Sequence, residues 1–232
     1  MTASPSIGVV VRAHNVSPYL AASIESVLSQ DPPPREVVVV DDGSTDGTGS
    51  VAASFSPRVK VVHQERRGPG GALNGGVVHL SSDLLAFQDG DDLWTPGRLA
   101  AMVEALEAEP ARDGVMGRVL HFASEDLAGA EAARFEIPVE PQPGAALPSL
   151  LLRRAAFERV GLFDESLKAG EYLEWHDRAV RQGIRIEPIE CVCLRRRVHR
   201  SNTTRGHDAR RDYLKVARLA IARHRSGQGD SA

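Results

Sequence analysis

Three carboxylates fall within four residues at Asp89-Gly90-Asp91-Asp92. Ionised together at that spacing they repel one another unless a cation lies between them. A divalent metal suits them, because hard cations take carboxylate oxygens and keep positions open for further oxygen ligands such as phosphates. A solvated acidic turn is the plain alternative for this segment taken alone. The acids end an apolar run, Leu84 to Gln88, which reads as a buried strand. They therefore sit at its C-terminal end, the edge of an open α/β sheet where ligands bind.

Other segments must be brought to that edge. Ile7 to Val11 and Glu36 to Val40 are β-branched, nearly unbroken apolar runs that suit strands buried on both faces. The first runs into Arg12-Ala13-His14-Asn15, the second into Asp41-Asp42-Gly43-Ser44. A third strand is expected over Val59–His63. Helical spacing recurs after each strand. Ser17 as N-cap with Pro18 in the first turn opens one helix. A second runs from Thr48 to about Phe55. A third follows a break at Gly68-Pro69-Gly70-Gly71 and covers about Gly71 to His79. Strands alternating with helices predict an α/β fold with a doubly wound, mostly parallel sheet flanked by helices. Such a sheet gathers the three polar segments into one acid-rich cleft.

After Asp92 a helix from Thr95-Pro96 to about Glu109, a strand over Gly114–Phe122 and a strand over Ser149–Leu152 are expected. A short helix over Ala155–Val160, a helix over Gly170–Gln182 and extended segments at Ile184–Ile186 and Cys191–Leu194 follow. The Pro- and Ala-rich stretch 123–148 has weak periodicity, and long loops of this kind are often functional. The two cysteines, Cys191 and Cys193, have strand spacing and no second pair to make a zinc site, so they read as buried thiols.

The chain has 232 residues, 42% of them hydrophobic and 25% charged, with a net charge of −3. That supports one core and gives no reason to expect nucleic acid. No apolar run approaches the roughly 20 residues of a membrane span, and the polar start Met1-Thr2-Ala3-Ser4 lacks a signal-peptide pattern. A cytoplasmic protein is expected.

The motifs Val9–Asn15, Val39–Gly47, Asn74-Gly75-Gly76, Phe87–Trp94 and Val160–Glu165, in this order, resemble a family 2 glycosyltransferase of the GT-A fold. The resemblance implies a domain over 1–204, with a nucleotide-binding half at about 1–94 and an acceptor-side half at about 95–204. A basic helix over 205–225 and a flexible tail over 226–232 complete the expected organisation. It implies a metal-dependent, inverting transfer from a nucleotide-diphosphate sugar, a UDP-sugar by preference. The acceptor would be a glycan, a lipid-linked intermediate, a natural product or a peptide. A homodimer is compatible with the chain.

The same resemblance implies roles. Asp42 or Asp41 would meet the nucleoside, with Ala13, Asn15, Arg67 and Gly90 beside it. Asp89 and Asp91 would be the DxD pair, the second holding Mn²⁺ or Mg²⁺. His199, within Arg195–Thr204, would ligate the metal or touch the diphosphate; a solvated basic loop is the alternative there. Glu174 or Glu171, on the helix that follows Gly170, would be the base that deprotonates the acceptor, Glu174 being favoured by alignment. Residues i, i+3 on a helix share a face, so both remain open. Leu73 stands where relatives often carry a nucleotide-contacting Arg, and Arg66 or Arg67 could take its place. The rival readings are a GT-A module that binds without turnover and a nucleotidyltransferase. The Arg12–Asn15 loop argues against the latter, because it lacks a Gly-rich phosphate loop.

Overall fold

The computed structural model of the protein describes residues 4–127, 135 and 137–200. The expected basic helix and tail beyond position 204 lie outside the described residues, as do Ser201 to Thr204.

The Val-rich runs form the centre of one eight-stranded sheet. Strands β1 (Ile7–Ala13), β2 (Glu36–Asp42), β3 (Lys60–Gln64) and β4 (Leu84–Asp89) pair in parallel in the order β3-β2-β1-β4. The sheet continues from β4 through β7 (Leu150–Arg153), β6 (Gly114–Ala123), β8 (Ile186–Val198) and the two-residue β5 (Leu93–Trp94). Pairing there is antiparallel, except between β6 and β8.

Side-chain alternation sends successive residues of each central strand into two cores. Val9, Val11, Val37 and Val39 pack against helices α1 (Ser17–Leu28), α2 (Thr48–Ala53) and α4 (Arg98–Glu107). Val10, Val38, Val40, Leu85 and Phe87 pack against α3 (Gly68–Val77), α5 (Arg154–Val160) and α6 (Glu171–Arg181). Each fully buried Val, Leu or Phe contributes about 1.5–3 kcal/mol relative to an exposed one. Helix α3 sits close to the sheet because Gly76 carries no side chain: a Cβ there would lie 2.4 Å from Val10 Cγ1.

Three local expectations are corrected. Ser17 is the first helical residue of α1, and Val16 is the N-cap. The free amides are satisfied from elsewhere, with Val16 N donating to Thr48 Oγ1 and Ser17 N to Asp46 Oδ2. Gly68-Pro69-Gly70-Gly71 is the first turn of α3 rather than a break before it. The two extended segments after Gly183 are parts of one strand, β8, which also takes in Arg195 to Val198. Strand β5 was not anticipated. Cys191 and Cys193 are free thiols; Cys193 is buried and Cys191 half-buried.

Candidate active site

The C-terminal ends of β1, β2 and β4 open into a cleft of about 260 Å³, closed on the far side by the start of α6 and by Ala145 to Pro148. This edge lies where the parallel strand order reverses around β1 and β4, the usual ligand site of such sheets.

Register explains which side chains meet there. Along β2 alternation separates the paired acids. Asp41 turns to the α2 side, where its Oδ1 accepts from Ser44 N at 3.1 Å and its Oδ2 lies 3.2 Å from His63 Nδ1. Asp42 turns to the α3 side and lines the cleft. Asp42 Oδ1 accepts from Gln64 Nε2 and Arg67 N, both at 2.7 Å, and Oδ2 accepts from Gly68 N at 2.9 Å. A carboxylate on the free amides of a helix start is favourable, and it explains how a Gly-rich segment begins a helix.

Arg12 of β1 is the register partner of Asp89 of β4, so both side chains lie on one face at the sheet edge. Arg12 Nε and Nη2 donate to Asp89 Oδ1 and Oδ2 at 2.5 and 3.1 Å, and Nη1 donates to Glu171 Oε1 at 2.5 Å. The carboxylate oxygens of Asp89, Asp91 and Asp92 lie within 4.8 Å of one another. Burial raises Asp89, and Asp91 and Glu171 add to this against the pull of Arg12. Burial, then Asp91 and Asp89, push Asp92 well above the usual carboxylate range. Burial and mutual repulsion thus both disfavour three ionised carboxylates here in the absence of a cation, and their clustered hard oxygen donors fit a divalent ion. Asp92 joins Asp89 and Asp91 in that cluster, as the grouping of three acids in the sequence suggests, although the DxD pair implied by the resemblance leaves it out. Ser23 and Gln88 hold the loop from below: Ser23 Oγ donates to Asp89 O, and Gln88 Nε2 to Asp92 O and Ser23 Oγ.

His199 is buried beside the same loop, its Nε2 2.9 Å from Asp91 Oδ2 and its ring 4.9 Å from that of Tyr19. The run Arg195–Val198 leading to it is strand, not solvated loop. Arg197 N donates to Asp92 Oδ1 and Arg197 Nε to Asp91 O, while Arg195 and Arg197 stack on Phe122. Arg196, on the opposite face, lines the cleft.

The two candidate bases part company. Glu171 is buried, lines the cleft and is held by Arg12. Glu174, the favoured choice in sequence, is not among the cleft-lining residues. Its two oxygens take Arg178 Nε at 3.1 and 3.0 Å, and Arg178 in turn donates to the carbonyls of Val160 and Leu162. The i, i+3 spacing puts both acids near one face, but Arg12 holds Glu171 at the cleft while Arg178 holds Glu174.

Of the remaining expected contacts, Ala13 and Gly90 line the cleft and Asn15 does not. Asn15, at φ 51°, ties the loop after β1 to the loop after β2 through Ser44 Oγ and Thr45 N. The Arg67 guanidinium turns away to Glu165 at 2.7 Å, and Arg66 lines the cleft instead. Leu73 is a core residue, 1% exposed, so it leaves no gap in the site. Asn74 pairs with the backbone of Phe163 in both directions and also donates to Glu165, which explains why these two motifs occur together. Lys168 also lines the cleft, and neither it nor Arg12 was singled out in the sequence.

Residues 8–157 match the family model "Glycosyl transferase family 2". The chain is 36% identical over 191 residues to the succinoglycan biosynthesis protein ExoO of Rhizobium meliloti, covering 72% of this chain and 53% of that protein. It is 36% identical over 149 residues to the putative glycosyltransferase EpsE of Bacillus subtilis, covering 62% and 52%. The chain thus spans about half the length of these relatives. Among solved structures, S. aureus TarS 1-349 in complex with UDP-GlcNAc matches with a TM-score of 0.72 at 21% identity, over 94% of this chain and 66% of that one. The mannosyltransferase PcManGT of Pyrobaculum calidifontis, in complex with GDP-Man and Mn²⁺, matches with a TM-score of 0.68 at 23% identity, over 95% and 65%. At these identities the two structures carry the fold, which is GT-A. Among the described residues, no helix is long and apolar enough to cross a membrane.

Proposed function

Since this chain belongs to glycosyl transferase family 2, we propose that it moves a sugar from a nucleoside-diphosphate sugar to an acceptor hydroxyl, with inversion at the anomeric carbon. One observation carries the reading: Glu171 and the Asp89–Asp92 loop line the same cleft at the sheet edge. That arrangement suits a base on one side of a reacting carbon and a departing diphosphate on the other.

A divalent ion, Mn²⁺ or Mg²⁺, held by Asp91 with Asp89 or Asp92, would stabilise the charge that develops on the departing nucleoside diphosphate. His199 beside Asp91 orients that carboxylate. Asp42 and the loop it holds, with Ala13 and Arg66, form the nucleoside end. Glu171 takes the proton of the attacking hydroxyl; general-base help of this kind contributes roughly 10²–10⁴-fold. Glu174 acts through Arg178 on the packing of α6. The acceptor enters past Ala145–Pro148 and Lys168. A UDP-sugar is the favoured donor, supported by the fold shared with TarS, which was solved with UDP-GlcNAc. The likeness to PcManGT, solved with GDP-Man and Mn²⁺, supports the metal.

Calorimetric titration of UDP, GDP, CDP and dTDP, each with and without Mn²⁺, tests this. Metal-dependent binding of one nucleotide is expected, with release of that free nucleotide from its sugar conjugate. Binding of none in the presence of Mn²⁺, or release of pyrophosphate, would overturn it.

A further inference from the structure

We propose that Arg12 is a positioning residue that couples the donor side of the cleft to the base, a role that rests on Glu171 being that base. The β1–β4 register sets Arg12 beside Asp89, and the first turn of α6 brings Glu171 to the same guanidinium. Nε and Nη2 take Asp89, and Nη1 takes Glu171. The guanidinium is a rigid planar fork. Two carboxylates from opposite halves of the protein are thereby held on adjacent edges of one plane.

The consequences are electrostatic and geometric. The side chains of Arg12, Asp89 and Glu171 are 23%, 22% and 8% exposed, so the two acids would repel strongly without the cation between them. Arg12 holds Glu171 through Oε1 only, and Oε2 has no partner among the described residues. One bond thus fixes the direction in which the other oxygen faces the cleft. Gly170, at φ 80°, ends the preceding loop with an abrupt turn into α6, so Glu171 stands at a helix end where this bond sets its orientation. A lysine would keep the positive charge but lose the fork.

The test compares wild type, Arg12→Lys and Arg12→Ala in three measurements. These are the melting temperature, Mn²⁺ binding without nucleotide followed by the spin-resonance signal of free Mn²⁺, and release of UDP or GDP from UDP-GlcNAc or GDP-mannose. With the cation removed, Arg12→Ala is expected to bind Mn²⁺ at least about threefold more tightly, since a positive neighbour opposes a second cation. Its kcat is expected to fall roughly 10²-fold with donor KM within about threefold, the pattern of misplaced groups rather than weakened binding. Arg12→Lys is expected to keep wild-type Mn²⁺ affinity and still lose at least about tenfold in kcat. Weaker Mn²⁺ binding together with a collapsed melting temperature in both variants would mean a structural role and overturn the proposal. So would wild-type kcat in either variant. Wild-type protein that binds Mn²⁺ but releases no nucleotide would remove the reading of the site, and the coupling with it.

Discussion

Glutamine at position 171 and glutamine at position 174 should fail in different ways. Gln keeps the size of Glu and removes its charge and its basicity. At position 171 the lost group lines the cleft, so turnover should fall by at least roughly 10²-fold while nucleotide affinity stays within about threefold. Melting should change little, because the lost pairing with Arg12 is offset by relief of the repulsion with Asp89. At position 174 the lost charge is the counterpart of Arg178, at 3.0 Å, in a pair whose side chains are 6% and 23% exposed. A hydrogen bond to a charged group contributes about 1.5–3 kcal/mol. At about 2–4 °C per kcal/mol for a domain of this size, the melting temperature should drop by roughly 3–12 °C. Turnover at a temperature well below melting should stay within about fivefold of wild type. The assay is donor turnover and thermal melting on the same preparations, with nucleotide titration as control. The reasoning fails if Glu174→Gln abolishes turnover at an unchanged melting temperature while Glu171→Gln remains active.

Three further outcomes are expected. Leu73→Arg places a charge at a site 1% exposed and should unfold the protein or lower its melting temperature by more than about 10 °C, whereas Leu73→Met should cost less than about 1.5 kcal/mol; tighter nucleotide binding by a stable Leu73→Arg would restore the idea of a gap in the site. Asn74→Asp removes the donor to Phe163 O and sets a carboxylate against Glu165, so it should melt lower at pH 7 and partly recover towards pH 5, a trend visible in melts across that range. Burial alone would raise the Asp46 carboxyl, but hydrogen bonds from Thr48 and Ser17 hold it at about 2, below its ordinary 3.8. Its contribution is therefore complete above about pH 4 and lost as pH falls through 2. Asp46→Ala should melt lower at pH 7, by about 1 kcal/mol for each of the two helix starts it serves, and show a flatter decline in melting temperature between pH 4 and 2.

The features legible in the sequence are those written locally. The Val runs of β1 and β2 have one reading, because only strands covered on both faces bury every residue in turn. The ends of these strands and of β4 carry the cleft with them, so the chain order alone puts Asp42, Asp89 and Asp91 at one edge. The features that were not legible depend on partners distant in the chain. Gly68 to Gly71 reads as a breaker until the carboxylate of Asp42 is set on its amides. Ser17 has the chemistry of a cap, yet Asp46 in the loop after β2 and Thr48 at the start of α2 do that work. Helical spacing could not rank Glu171 against Glu174, since the ranking lies in Arg12 and Arg178. Arg195 to Arg197 looked like a polar loop because three adjacent arginines mask a strand; stacking on Phe122 and pairing with β6 make it one.

The antiparallel placement of β7 against β4 bears on how the molecule is assembled. Leu85 and Ala86 bond to Leu152 and Leu151 on one side and to β1 on the other. A nascent chain that has emerged only as far as β4 has a nearly finished nucleotide half with one raw apolar border. Open strand borders recruit other chains, and this one is sealed only when a segment made much later inserts beside it. Expression of the first half by itself should therefore yield aggregates rather than a small nucleotide binder, and chaperones that shield unpaired strands should improve recovery of the whole chain.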